Sequence, residues 1–183
     1  VIETSTDILS KITGKDNPQA VAGVFAEFDT SLANLDRSRA DIWLVAQALR
    51  DPGNLGTMLR TGDAVGAGGL ILIDDCADPF SVEAVRASMG AIFHVPLETE
   101  VDLNTLGQRY ARIACLDIGG DAITTPEFQA QDCYLFGNEA RGVPKQALTE
   151  LSAHAYTIPG AAAIESLNLA SAVNMAVYEL NRV

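Results

Sequence analysis

The chain has 183 residues, 48% hydrophobic and 20% charged, a globular composition with enough apolar residues for one well-formed core plus an appendage. Twelve Lys and Arg against 24 Asp and Glu give a net charge of -12, which argues against a free-standing nucleic-acid binder but leaves room for a small basic patch. Cys76, Cys115 and Cys133 show no CxxC spacing, so neither a disulfide framework nor a zinc site is implied. With no signal-peptide pattern and no apolar run near the ~20 residues a membrane helix needs, the expected setting is cytoplasmic, without membrane or metal partners.

Residues 1–40 read differently from the rest. Thr4-Ser5-Thr6-Asp7 caps a predicted helix running to about Ile12, Gly14 to Pro18 is a turn, and Ala20 to Ala26 is a short apolar strand. Residues 27–40 are polar and read as a linker or a short helix. This stretch is too small to bury a core of its own and reads as the tail of an N-terminal domain.

From Asp41 the pattern becomes regular, so the second domain is placed at 41–183. Ile42 to Ala46 is a continuous apolar strand of the kind covered on both faces. A helix follows from about Leu55 to Val65, then a strand at Leu70–Ile73 and a loop at 74–79. Ser81 caps a helix to Met89. A strand over Ile92–Pro96, a helix over Asp102–Tyr110 and strands at Arg112–Leu116 and Tyr134–Phe136 come next. Pro144 opens a helix to Leu151, Ala155–Ile158 is the last strand, and Glu165 to Leu180 is the last helix. Strands alternating with helices at this spacing predict an α/β fold, a mostly parallel sheet with helices on both faces. Trp43, Cys115 and Cys133 are expected in the core, and His94 and His154 in structural or surface positions. Asp74, Asp75 and Asp78 lack a full calcium-loop pattern and read as a solvated loop.

Three segments rich in Gly and Asn fall where strands end and helices begin: Asp51 to Arg60, Leu135 to Pro144, and Ile158-Pro159-Gly160 with Glu165 to Asn168. In an open α/β sheet that edge binds ligands. Three polar loops meeting there predict a small-molecule site beside a site for a polar substrate. The glycines at 53, 56, 137, 142 and 160 are expected to let the backbone adopt positive φ and come near a ligand. GxGxxG, P-loop and GxSxG patterns are all absent, so Ser166 has no evident base.

Asn54-x5-Arg60, Phe136-Gly137-Asn138-Glu139-x-x-Gly142, and Ile158-Pro159 with Glu165-Ser166-Leu167-Asn168 resemble, in order and spacing, the three motifs of the SpoU (TrmH-like) RNA 2'-O-ribose methyltransferases of the SPOUT superfamily. Val85 to Ala91 is similar to the family too, and residues 1–30 resemble the end of a small ribosomal-protein-like RNA-binding domain. The resemblance implies a deep C-terminal trefoil knot, bound S-adenosylmethionine, a homodimer with sites at its interface, and an RNA substrate, ribosomal RNA first and transfer RNA second. It implies that Gly137, Asn138, Gly142, Ile158 and Leu167, with backbone from Leu116, Asp117 and Ile118, hold the cofactor. Asn54, Arg60, Glu139, Ser166 and Asn168 would line the catalytic side, Glu139 and Asn168 orienting Arg60 or the ribose, and Arg141 and Lys145 are candidate RNA contacts. Because an arginine stays charged in proteins, the role expected at position 60 is an electrostatic anchor. Two departures stand out: Ala140 where the family often has Gly, and the small apolar run Ala161-Ala162-Ala163. A homologue that binds without catalysis, or another nucleotide-cofactor α/β enzyme, are the alternatives.

Overall fold

The computed structural model describes residues 1–28, 42–160 and 167–182. Six parallel strands form one sheet in the order β3-β2-β1-β5-β4-β6. They are β1 (Trp43–Gln47), β2 (Gly69–Ile73), β3 (Leu97–Val101), β4 (Ile113–Ala122), β5 (Cys133–Phe136) and β6 (His154–Thr157). The helices are α1 (Thr6–Thr13), α2 (Pro52–Ala64), α3 (Val82–Ala87), α4 (Leu103–Arg109), α5 (Pro126–Gln129), α6 (Lys145–Glu150) and α7 (Leu169–Leu180).

The period-2 alternation of the strands divides the core in two. Leu44 and Ala46 of β1, with Leu70, Leu72, Tyr134 and Phe136, face α2, α5 and α7. Trp43 and Val45, with Ile71, Ile73, Cys115 and Leu135, face α4 and α6. Both faces of β1 are buried, as its continuous apolar run requires. Burial pushes the Cys115 thiol up to about 12, with Asp117 adding to the shift, and raises Cys133 further.

α2 begins three residues earlier than its sequence suggests. The Asp51 side chain accepts from the Asn54 N–H at 2.8 Å, and Pro52 occupies the first turn, where its missing N–H costs nothing. Leu55, Met58, Leu59 and Gly62 form its buried stripe. Gly56 lets α2 touch α3 backbone to backbone, since a Cβ there would lie 2.4 Å from the Ala84 carbonyl and 2.5 Å from the Ala87 Cβ. We expect Gly56→Ala to destabilise the fold by about 1–3 kcal/mol, the usual size of an overpacking defect. A urea midpoint equal to that of the parent would contradict this.

Three expectations need correction. Ala20 to Ala26 form no strand; Val21, Val24 and Phe25 are exposed, and Phe25 meets Phe93 edge-on at 6.0 Å. Nor does 92–96 form a strand: Ala91–Phe93 is a 3-10 turn entered through Gly90 at φ 96°, and Ala91, Ile92 and Val95 point into the core at helical spacing. The strand lies instead at Leu97–Val101, where the buried Glu98 receives two bonds from the Arg109 Nη1, at 2.8 and 3.0 Å. The last helix begins at Leu169 rather than Glu165, which lies outside the described residues. α5 is a single turn of four residues, too short to carry a helical period in the sequence.

Trp43 is core, as expected. His94 and His154 lie at the surface, each beside a carboxylate, Asp63 and Asp121.

Candidate functional site

The strand order reverses at β1: the chain runs outward through β2 and β3, then returns to place β5 against the other side of β1. Such a switch point opens a crevice beyond the carboxyl ends of the two strands. The loops that follow β1 and β5 are the first two sequence segments, so topology unites residues nearly 90 positions apart.

Glu139 is the hub. Its Oε1 accepts from the Asp51 N–H at 3.3 Å and from the Asn54 Nδ2 at 3.4 Å. Its Oε2 accepts from the Arg50 N–H at 3.5 Å and from the Asn138 Nδ2 at 3.4 Å. Asn138 also donates to the Ala48 carbonyl at 2.8 Å. Ala48 holds φ 50°, a left-handed conformation that a non-glycine residue adopts only under constraint, and this bond ties it down. The Asn138 Oδ1 accepts from the N–H groups of Ala140 and Arg141 at 3.1 and 3.2 Å, which closes the turn.

The third segment joins through Asn168. It caps α7, accepting from the Ser171 N–H at 3.2 Å, and its Nδ2 donates to the Asn54 Oδ1 at 3.2 Å. The structure therefore brings Glu139, Asn54 and Asn168 into one hydrogen-bonded chain across three elements. Arg60 stands apart on the exposed side of α2 and makes no ion pair with Glu139 and no bond with Asn168. Arg141 and Lys145 are exposed beside the β5 loop. Ser166 lies outside the described residues.

A second opening adjoins the crevice. β4 and β6 pair as far as Leu116 opposite Tyr156, then the register jumps to Asp121. Residues 117–120 are left as a bulge, with Gly119 at φ 88° and Ile118 77% exposed. The Asp117 Oδ1 accepts from the Ile118 N–H at 2.7 Å and lies 4.0 Å from where a Cβ on Gly142 would stand. Ile158 is half-buried, and Leu167 is 41% exposed. Exposed apolar side chains beside a strand irregularity and a carboxylate fit an amphipathic ligand with an apolar ring and a polar tail. That is the chemistry of the methyl donor the sequence resemblance implies.

The glycines divide differently from expectation. Only Gly142 of the five has positive φ, 65°. Gly137 is required by packing: a Cβ there would lie 2.4 Å from both the Gly142 carbonyl carbon and the Val143 nitrogen. Gly53 and Gly56 are helical, in the first two turns of α2.

Sequence reasoning missed the backbone N–H groups of Arg50 and Asp51 as partners of Glu139, and the Thr61–Asn174 hydrogen bond that pins α2 to α7. No local signal marks either, because both depend on contacts between distant elements.

Residues 41–178 match the model of the SpoU rRNA Methylase family. An uncharacterized tRNA/rRNA methyltransferase of Synechocystis is 33% identical over 97% of this chain and 66% of its own length. A 23S rRNA guanosine 2'-O-methyltransferase of Bacillus subtilis is 34% identical over 96% of this chain and 70% of its own. The chain thus spans about two thirds of the length of these relatives. The structure of an AdoMet-bound rRNA methyltransferase from Sinorhizobium meliloti superposes with a TM-score of 0.85, at 34% identity, over 96% of this chain and 69% of that one.

Proposed function

The chain belongs to the SpoU rRNA Methylase family, and from that premise we propose that it transfers a methyl group from S-adenosylmethionine to a ribose 2'-hydroxyl of RNA. Ribosomal RNA is the first substrate class and transfer RNA the second. The observation that carries this reading is the Glu139–Asn54–Asn168 chain, set at the switch-point crevice beside the β4 bulge.

The cofactor supplies an activated methyl group; the protein's part is alignment and charge. Leu116, Asp117, Ile118, Ile158 and Leu167 line the cofactor side, with the Gly137–Gly142 turn as its wall. Asn54 and Asn168 present amide groups to the ribose, with Ser166 assigned to the same side. Glu139 positions Asn54 and the first turn of α2. The exposed guanidinium of Arg60 holds the phosphate next to the target ribose and stabilises negative charge as the hydroxyl proton leaves. Arg141 and Lys145 contact RNA phosphates at the rim.

The same reading divides the chain into residues 1–40, the end of an RNA-binding domain with its linker, and 41–183, the methyltransferase domain, supported by the 41–178 match. It includes a deep C-terminal trefoil knot; residues 161–166, between β6 and α7, lie outside the described residues. It includes a cytoplasmic homodimer. α7 buries Val173, Ala176 and Val177 but turns Met175 and the 70% exposed Tyr178 outward, which supports an apolar face for a second copy.

Calorimetric titration with S-adenosylhomocysteine, the product, tests the cofactor site. One site per chain is expected, lost in Leu167→Arg, which puts a charge on the exposed apolar wall. A folded protein with no heat of binding would overturn the assignment.

A further inference from the structure

A groove of roughly 970 Å3 runs between α1 and α3, and its floor includes Gly53, the neighbour of Asn54. Through Gly53 it adjoins the first turn of α2, where Asn54 meets Glu139. Lys11 and Ile12 form one wall, and Val82, Glu83, Arg86 and Met89 the other. α1 buries none of its residues, so packing does not close the groove. Its lining carries two cations and one anion, on a chain of net charge -12. Among the described residues neither Lys11 nor Arg86 is engaged in an ion pair.

Met89 is held at φ 51°, in the left-handed region that a long side chain rarely adopts, and it is 73% exposed. The constraint is local: the Ser88 side chain bonds back to the Val85 carbonyl at 2.7 Å, and Gly90 follows in a left-handed turn. The effect is an apolar arm projected into the groove beside a free guanidinium. Cations along a groove track the backbone of single-stranded nucleic acid without sequence readout, and apolar side chains beside them offer contact to base faces.

We propose that this groove receives the nucleotides flanking the target ribose, as a single-stranded segment of the RNA. Arg86 and Lys11 take phosphates, Met89 and Val82 meet base faces, and Glu83 accepts from base N–H groups. The proposal rests on the RNA substrate proposed above and adds the path by which the strand enters.

The test pairs two measurements on the full chain, with unmodified large-subunit ribosomal RNA made by transcription as the probe. Fluorescence anisotropy of RNA binding should show Arg86→Glu and Lys11→Glu each weakening affinity about tenfold, with the salt slope reduced by about one. In steady-state methylation, KM for RNA should rise by a similar factor, with kcat and S-adenosylhomocysteine affinity within about twofold of the parent. Unchanged RNA affinity and KM in both variants would overturn the groove and assign it to another partner. If the parent binds RNA but transfers no methyl group, the activity fails; the groove then stands or falls on whether Arg86→Glu still weakens binding.

Discussion

Arg60→Ala should reduce methyl transfer by at least about 100- to 1000-fold, the range seen when a single donor to developing negative charge is removed. Cofactor affinity and thermal stability should stay close to those of the parent. The structure separates these effects. α2 is anchored through Leu55, Met58 and Leu59, all buried, while Arg60 lies on the solvent side, so truncating it leaves no cavity and no orphaned partner among the described residues. A large loss of rate with an unchanged melting curve therefore reports chemistry. Arg60→Lys should recover only part of the activity, because an ammonium supplies charge without the planar fork that engages a phosphate. Near-parental transfer by Arg60→Ala would sink the anchor role. Single-turnover rates at saturating cofactor, read beside calorimetry, decide it.

What sequence could and could not reveal follows from the range of each interaction. The parallel sheet was legible because its buried strands carry unbroken apolar runs, Ile42 to Ala46 at β1 and Leu70 to Ile73 at β2. The cap at Ser81 was legible because its side chain bonds three residues ahead, to Ala84. β3 was misplaced because Leu97–Val101 contains two glutamates, and the reason Glu98 tolerates burial is Arg109, eleven residues away on α4. The three site segments were identifiable by composition and by family resemblance. How they connect was not. Glu139 and Asn168 meet Asn54, a contact that needs β5 beside β1 and α7 over α2. The roles of Gly56 and Gly137 were misjudged for the same reason: each is set by a backbone that folding brings within 2.4 Å of the missing Cβ.

That connection makes the second prediction. Glu139→Gln preserves the size of the hub but replaces one acceptor oxygen with an N–H donor. The carboxylate now accepts from four donors: two backbone N–H groups and the side-chain amides of Asn54 and Asn138. The amide can serve only one pair and opposes the other donor to donor. The expected result is a stability loss of about 1–3 kcal/mol, as for a charged acceptor removed from its donors, and a fall in kcat of about 10- to 100-fold as Asn54 loses its position. Asn168→Asp keeps the α7 cap through its oxygen but removes the donor to Asn54, so its effect reaches the same amide from the opposite end. If Glu139, Asn54 and Asn168 act as one unit, the double variant should lose much less than the sum of the two single losses in transition-state free energy. Additive losses would mean that Glu139 and Asn168 act on the ribose independently, and that the hydrogen bonds through Asn54 do not couple them.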